Sequence, residues 1–164
     1  TGEQQGVLCR FVGRCLDIEA TFTRHDRSKV GITLLESSNG QEVTRIVFWP
    51  DARRLVIERA HSSLDAQVRR QDLYALLVLE DDEPLHLRVL LDHSALEVYA
   101  NERVCLSTRI YPVGDECVHG TAFAEGQADI SLQAWSMSTI YPEVRRPLVV
   151  PAPTATTFAG AVHV

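Results

Sequence analysis

The stretch Leu85-His-Leu-Arg-Val-Leu-Leu-Asp-His-Ser-Ala-Leu-Glu-Val-Tyr-Ala-Asn101 reads as two β-strands folded back on each other at His93-Ser94. Successive side chains of a strand point to opposite faces. Leu87, Val89 and Leu91 therefore fall on one side, and His86, Arg88, Leu90 and Asp92 on the other. Beyond the turn, Leu96 and Val98 rejoin the apolar side, while Glu97 and Tyr99 join Arg88 and Asp92. The pattern predicts a small polar cluster, built from a cation, carboxylates and a ring, on one face of a rigid sheet.

The same reading extends outward. Cys15–Thr23, Lys29–Leu35, Glu42–Trp49 and Arg54–Arg59 are rich in β-branched and alternating apolar residues, as strands are. Asn39-Gly40 separates the second and third of these, and both residue types tolerate the positive φ of a hairpin turn. Pro50-Asp51 turns the chain again. Asp72–Glu80, with Leu73, Leu76, Leu77 and Leu79, suits either a short helix or a buried strand. Val104–Ile110, Cys117–Ala124 and Ala128–Ser138 complete the series. Many short strands at this spacing predict an all-β fold, a two-sheet antiparallel β-sandwich of concanavalin-like or jelly-roll type. The sandwich domain is expected over residues 1–141, its body starting near residue 15. Pro142, Pro147, Pro151 and Pro153 mark a Pro/Thr/Ala-rich extension over 142–164, in which Val144–Val150 is a candidate edge strand. Beyond Pro151 the expectation is an extended or disordered tail.

Composition narrows the function. The chain has 164 residues and is 45% hydrophobic, enough to bury a core without metals or disulfides as staples. Its net charge of -6, with Arg53-Arg54, Arg69-Arg70 and Arg145-Arg146, all isolated pairs, as the densest basic spots, argues against a nucleic-acid partner. No apolar run approaches the roughly 20 residues that span a bilayer, so no membrane partner is expected. The chain opens on Thr1 without a signal-peptide pattern, as a fragment or processed product would. Cys9, Cys15, Cys105 and Cys117 lack the CxxC spacing of a zinc site. Free, buried thiols are the preferred reading, with one or two disulfides as the alternative. The six histidines show no ligand spacing, so neither a metal nor a cofactor is expected.

The segment from Leu85 to Asn101, followed by Ser107-Thr-Arg-Ile-Tyr-Pro112, closely resembles the signature of the C-terminal sandwich of glycoside hydrolase family 32, the invertases, inulinases and fructosyltransferases. Lys29-Val-Gly-Ile, Ile46-Val-Phe, Leu55-Val-Ile-Glu-Arg-Ala-His-Ser62 and Ala134-Trp135-Ser-Met137 agree with the family's strands in order. The resemblance spans about residues 15 to 141. It implies a non-catalytic accessory domain that follows a five-bladed β-propeller in the parent enzyme and supports it, with a homodimer as a further role. In that family the propeller holds the chemistry, in N-D-P, R-D-P and E-C motifs. Retaining glycoside hydrolysis needs two carboxylates about 5 Å apart. Neither N-D-P nor R-D-P occurs here, and Glu116-Cys117 lies after the signature rather than before it. No catalytic residue is therefore expected, and the resemblance leans toward an extracellular parent acting on sucrose or fructans.

The alternative is a free-standing fructan-binding module, because family 66 carbohydrate-binding modules look like this sandwich and bind fructan ends. Arg88, Asp92, Glu97 and Tyr99 are the candidate sugar-binding residues, since sugars favour carboxylate and arginine hydrogen bonding beside a ring. The competing use of the same residues is to pair with one another or to contact a neighbouring domain. Trp49 and Trp135 are candidate aromatic platforms, against a plain core or interface role. Ser94 beside His93 and Asp92 does not make a triad, because adjacent residues on a tight turn diverge.

Overall fold

A computed structural model describes residues 9–80 and 82–138, together with the backbone of 155–159. It is a sandwich of two six-stranded sheets. The strands are β1 (Cys9–Val12), β2 (Cys15–Arg24), β3 (Val30–Glu36), β4 (Thr44–Trp49), β5 (Arg54–Glu58), β6 (Leu73–Leu76), β7 (Leu85–Asp92), β8 (Ala95–Ala100), β9 (Val104–Arg109), β10 (His119–Ala124), β11 (Ala128–Ser136) and β12 (Ala155–Ala159). The first sheet runs β1-β10-β3-β4-β5-β6 and the second β12-β11-β2-β7-β8-β9, with antiparallel pairing throughout.

The alternation read from the sequence is what closes the core. Ile18, Phe22, Val89, Leu91, Leu96 and Val98 face inward from the second sheet. Ile32, Ile46, Phe48, Leu55 and Ile57 meet them from the first. The hairpin turns follow local chemistry. Gly40 adopts φ 69° and donates its amide to Ser37. His93 takes φ 51° at the first position of the two-residue turn between β7 and β8, where glycine is the usual occupant.

Four points differ from the sequence expectation or resolve it. The sandwich begins earlier than residue 15, because β1 pairs with β10; the strand is only four residues long and offers little periodicity to read. Asp72–Glu80 yields a strand, β6, at the edge of the first sheet, with Tyr74 and Leu76 exposed and Leu77 turned into the core. Within the Pro/Thr/Ala-rich stretch, Ala155–Ala159 forms a strand, β12, that pairs with β11. The β-prone Thr156-Thr157-Phe158 there meets an otherwise open strand edge. The candidate strand Val144–Val150 lies outside the described residues. All four cysteines are free thiols. Only Cys9 and Cys117 are buried; Cys15 is half-buried and Cys105 exposed, because Cys15 and Cys105 occupy outward positions of β2 and β9.

Candidate functional site

The outer face of the second sheet carries Arg88, Asp92, Glu97 and Tyr99 together. Arg88 lies directly opposite Tyr99, and Glu97 opposite Leu90. Asp92 stands at the far end of β7, paired with Ala95 on one side and Cys15 on the other. Trp135 shares this face, because β11 places it opposite Asp17 and Asp17 opposite Leu90. Trp49 does not share it. It belongs to the outer row of β4 with Arg45 and Val47, on the other sheet, and Lys29 covers its ring at 4.2 Å. The two tryptophans therefore cannot form one platform.

Sharing a face has not made the four residues one cluster. Arg88 turns toward β2 and binds Asp17 bidentately, at 2.8 and 3.2 Å, with Glu19 at 4.0 Å. The hydrogen bond and charge of Asp17 hold the guanidinium above its ordinary pKa. Glu97 accepts the hydroxyl hydrogen of Tyr99 at 2.9 Å, which pushes the phenol above its usual value. Asp92 pairs with the His93 ring at 2.8 Å and lies 3.6 Å from the Cys15 thiol. The His93 hydrogen bond, helped by Cys15, holds the Asp92 carboxyl below the usual carboxylate range. Asp17 and Glu19 were not legible as partners, because nothing local to β2 says that it neighbours β7.

A shallow groove of about 820 Å³ runs over the other end of this face, lined among others by Glu19, His86, Arg88, Tyr99 and Asn101. Its floor is braced by the turn residues of the signature. Asn101, at φ 48°, accepts the His86 amide and donates to Glu83 and to the Pro84 carbonyl. Arg103 pairs with Glu83. Arg109 donates to the Ser94 hydroxyl at 2.8 Å, so the serine beside His93 serves the hairpin rather than a triad. Arg59, 8% exposed, donates to the carbonyls of Gln71 and Arg109 and to the Thr108 hydroxyl. Most polar positions of the signature thus hold turns and strands in place. Arg88 and Tyr99 are left lining open space.

Two antiparallel sheets with a braced turn and one open polar face define an all-β sandwich module. The chain matches the family model "Glycosyl hydrolases family 32 C terminal" over residues 2–136, and it belongs to that family. It is 29% identical over 125 residues to an insoluble-isoenzyme β-fructofuranosidase of Arabidopsis thaliana, a match covering 66% of this chain and 21% of that protein. This chain therefore spans about a fifth of that relative's length. Among solved structures it is similar to the exo-inulinase of Aspergillus awamori, with TM-score 0.73 and 17% identity over 84% of this chain and 28% of that one. A carbohydrate-binding module of Bacillus subtilis, CBM66, shares the fold at TM-score 0.51 and 11% identity, over 76% of this chain and 82% of its own.

Proposed function

We propose that this chain is the non-catalytic accessory sandwich of a β-fructofuranosidase-like glycoside hydrolase. In this reading it packs against a catalytic propeller of the same protein, supports it, and contributes to a homodimer, while the parent acts on sucrose or fructans. The observation that carries the reading is the family match over residues 2–136 in a chain with neither N-D-P nor R-D-P. The separate ties of Asp92 to His93 and of Glu97 to Tyr99 support it, since neither carboxylate is set up as half of a hydrolytic pair. The isolated chain incubated with sucrose or inulin should release no fructose. A rate of release abolished by Asp92→Ala or Glu97→Ala would overturn the proposal.

The groove favours a second reading, a fructan-binding module. Its wall offers a cation at Arg88, a ring at Tyr99 that is 39% exposed, and the carboxylates of Glu19 and Glu83. Calorimetry with levan or inulin oligosaccharides should then show saturable heat that Tyr99→Ala removes. A flat titration at millimolar sugar would count against it.

A further inference from the structure

At the opposite end of β7 from the groove, three side chains of different donor chemistry converge. Cys15 opens β2, Asp92 closes β7 as its direct register partner, and His93 is the next residue, in the turn. The His93 Nδ1 lies 3.2 Å from the Cys15 sulfur and 2.8 Å from Asp92 Oδ1, and the same oxygen is 3.6 Å from the sulfur. The backbone fixes this arrangement. The His93 amide donates to the Arg14 carbonyl at 2.7 Å, and its φ of 51° turns the ring back over the start of β2.

We propose that Cys15, Asp92 and His93 form a surface binding site for a thiophilic divalent cation, best matched by Zn2+. One thiolate, one imidazole and one carboxylate are a zinc donor set, whereas Ca2+ and Mg2+ select oxygen alone. Zinc bonds of ordinary length in a tetrahedron place such donors about 3.3–3.6 Å apart. The two contacts of the sulfur are already close to that spacing. Only the histidine and aspartate must separate, by about 0.5 Å to reach it. Both of these side chains are more than two-thirds exposed, at 74% and 71%, so rotation provides the separation and the fourth coordination position opens to solvent. The site is independent of the sugar-binding reading. Arg88, the cation of the groove, stands four residues back along β7, about 13 Å at the rise of a strand.

The test uses the full chain, reduced and stripped of metal, titrated with Zn2+ by calorimetry and with Co2+ by absorption. One equivalent of Zn2+ should bind, and Co2+ should develop the thiolate charge-transfer band and the visible bands of a four-coordinate site. Cys15→Ser and His93→Gly should each weaken Zn2+ binding by more than about 100-fold, beyond the effect of losing a supporting hydrogen bond. Glycine is chosen at residue 93 because the turn accepts it, and Asp92→Asn gives a third variant that keeps the side-chain shape. Circular dichroism establishes which variants are folded, and those carry the comparison. No saturable binding by the wild-type chain at micromolar Zn2+, a Co2+ complex without the thiolate band, or folded variants that bind like wild type would each overturn the site.

Discussion

Glu42 is the residue on which the long loops converge. It is 1% exposed and accepts the amides of Leu64, Val113 and Gly114 at 2.8 to 3.0 Å and the Cys117 thiol at 3.2 Å. Burial alone would raise its pKa, but the three amides and the thiol outweigh burial and hold it below the usual carboxylate range. The Cys117 thiol moves the other way, to about 11, through burial and then the neighbouring carboxylate, and remains a proton donor at neutral pH. A depressed folded-state pKa means that Glu42 stabilises the fold above its unfolded pKa and loses this effect as pH falls through the folded value. Glu42→Gln should therefore cost about 2–3 kcal/mol at pH 7, and urea melts of the two proteins should converge under acid. An undiminished gap in acid would show that charge is not what Glu42 contributes. None of this was legible in the sequence, since Glu42 sits in an ordinary-looking Gln-Glu-Val stretch and the partners of its carboxylate lie 22 to 75 residues away. The candidate site was legible only in part: period-two spacing put Arg88 and Tyr99 on one face, but the partner of Arg88 comes from β2.

At the scale of single strands, two substitutions separate packing from turn geometry. Gly31 sits in β3 opposite Val47, and a Cβ there would lie 2.0 Å from the Ile46 carbonyl oxygen, a backbone atom that no rotamer can clear. Gly31→Ala should push β3 from β4 and cost about 2–3 kcal/mol, typical of overpacking, read as a lowered urea midpoint. A wild-type midpoint would mean that the strands part without strain. His93→Gly should do the opposite, raising stability by about 0.5 kcal/mol, because an L-residue at positive φ costs more than the entropy that glycine adds to the unfolded chain. A drop of 1 kcal/mol or more, on the order of a charged hydrogen bond, would show that the His93–Asp92 contact outweighs the turn. Strands such as β2, β7 and β8 were legible because alternation there coincides with burial. β6 was ambiguous because its leucines serve an exposed edge and a following core position at once. β1 and β12 take their place from partners distant in sequence, which no local pattern records.

The two sheets are joined by their shared core and, on one side, by Arg59. This residue follows β5 in the first sheet, yet it reaches the Thr108 hydroxyl and the Arg109 carbonyl of β9 in the second, at 2.9 and 3.2 Å. Its Nε also holds the Gln71 carbonyl at 2.7 Å, and its own amide is held by Asp72. Burial lowers the guanidinium pKa, with Asp72 opposing, but an arginine stays charged in proteins. Arg59→Met keeps the apolar length of the side chain and leaves the carbonyls of Gln71 and Arg109 without a donor. The expected loss is about 3 kcal/mol. Lysine should restore less than half of it, because a point charge cannot reproduce the fork that spans both sheets. Trp49 and Trp135 lie one on each sheet, so single-tryptophan versions report the sheets separately. If the sandwich is one cooperative unit, as its continuous core requires, both reporters should shift to lower urea together in Arg59→Met. Midpoints that separate would mean that the core alone does not couple the sheets and that Arg59 is their principal tie.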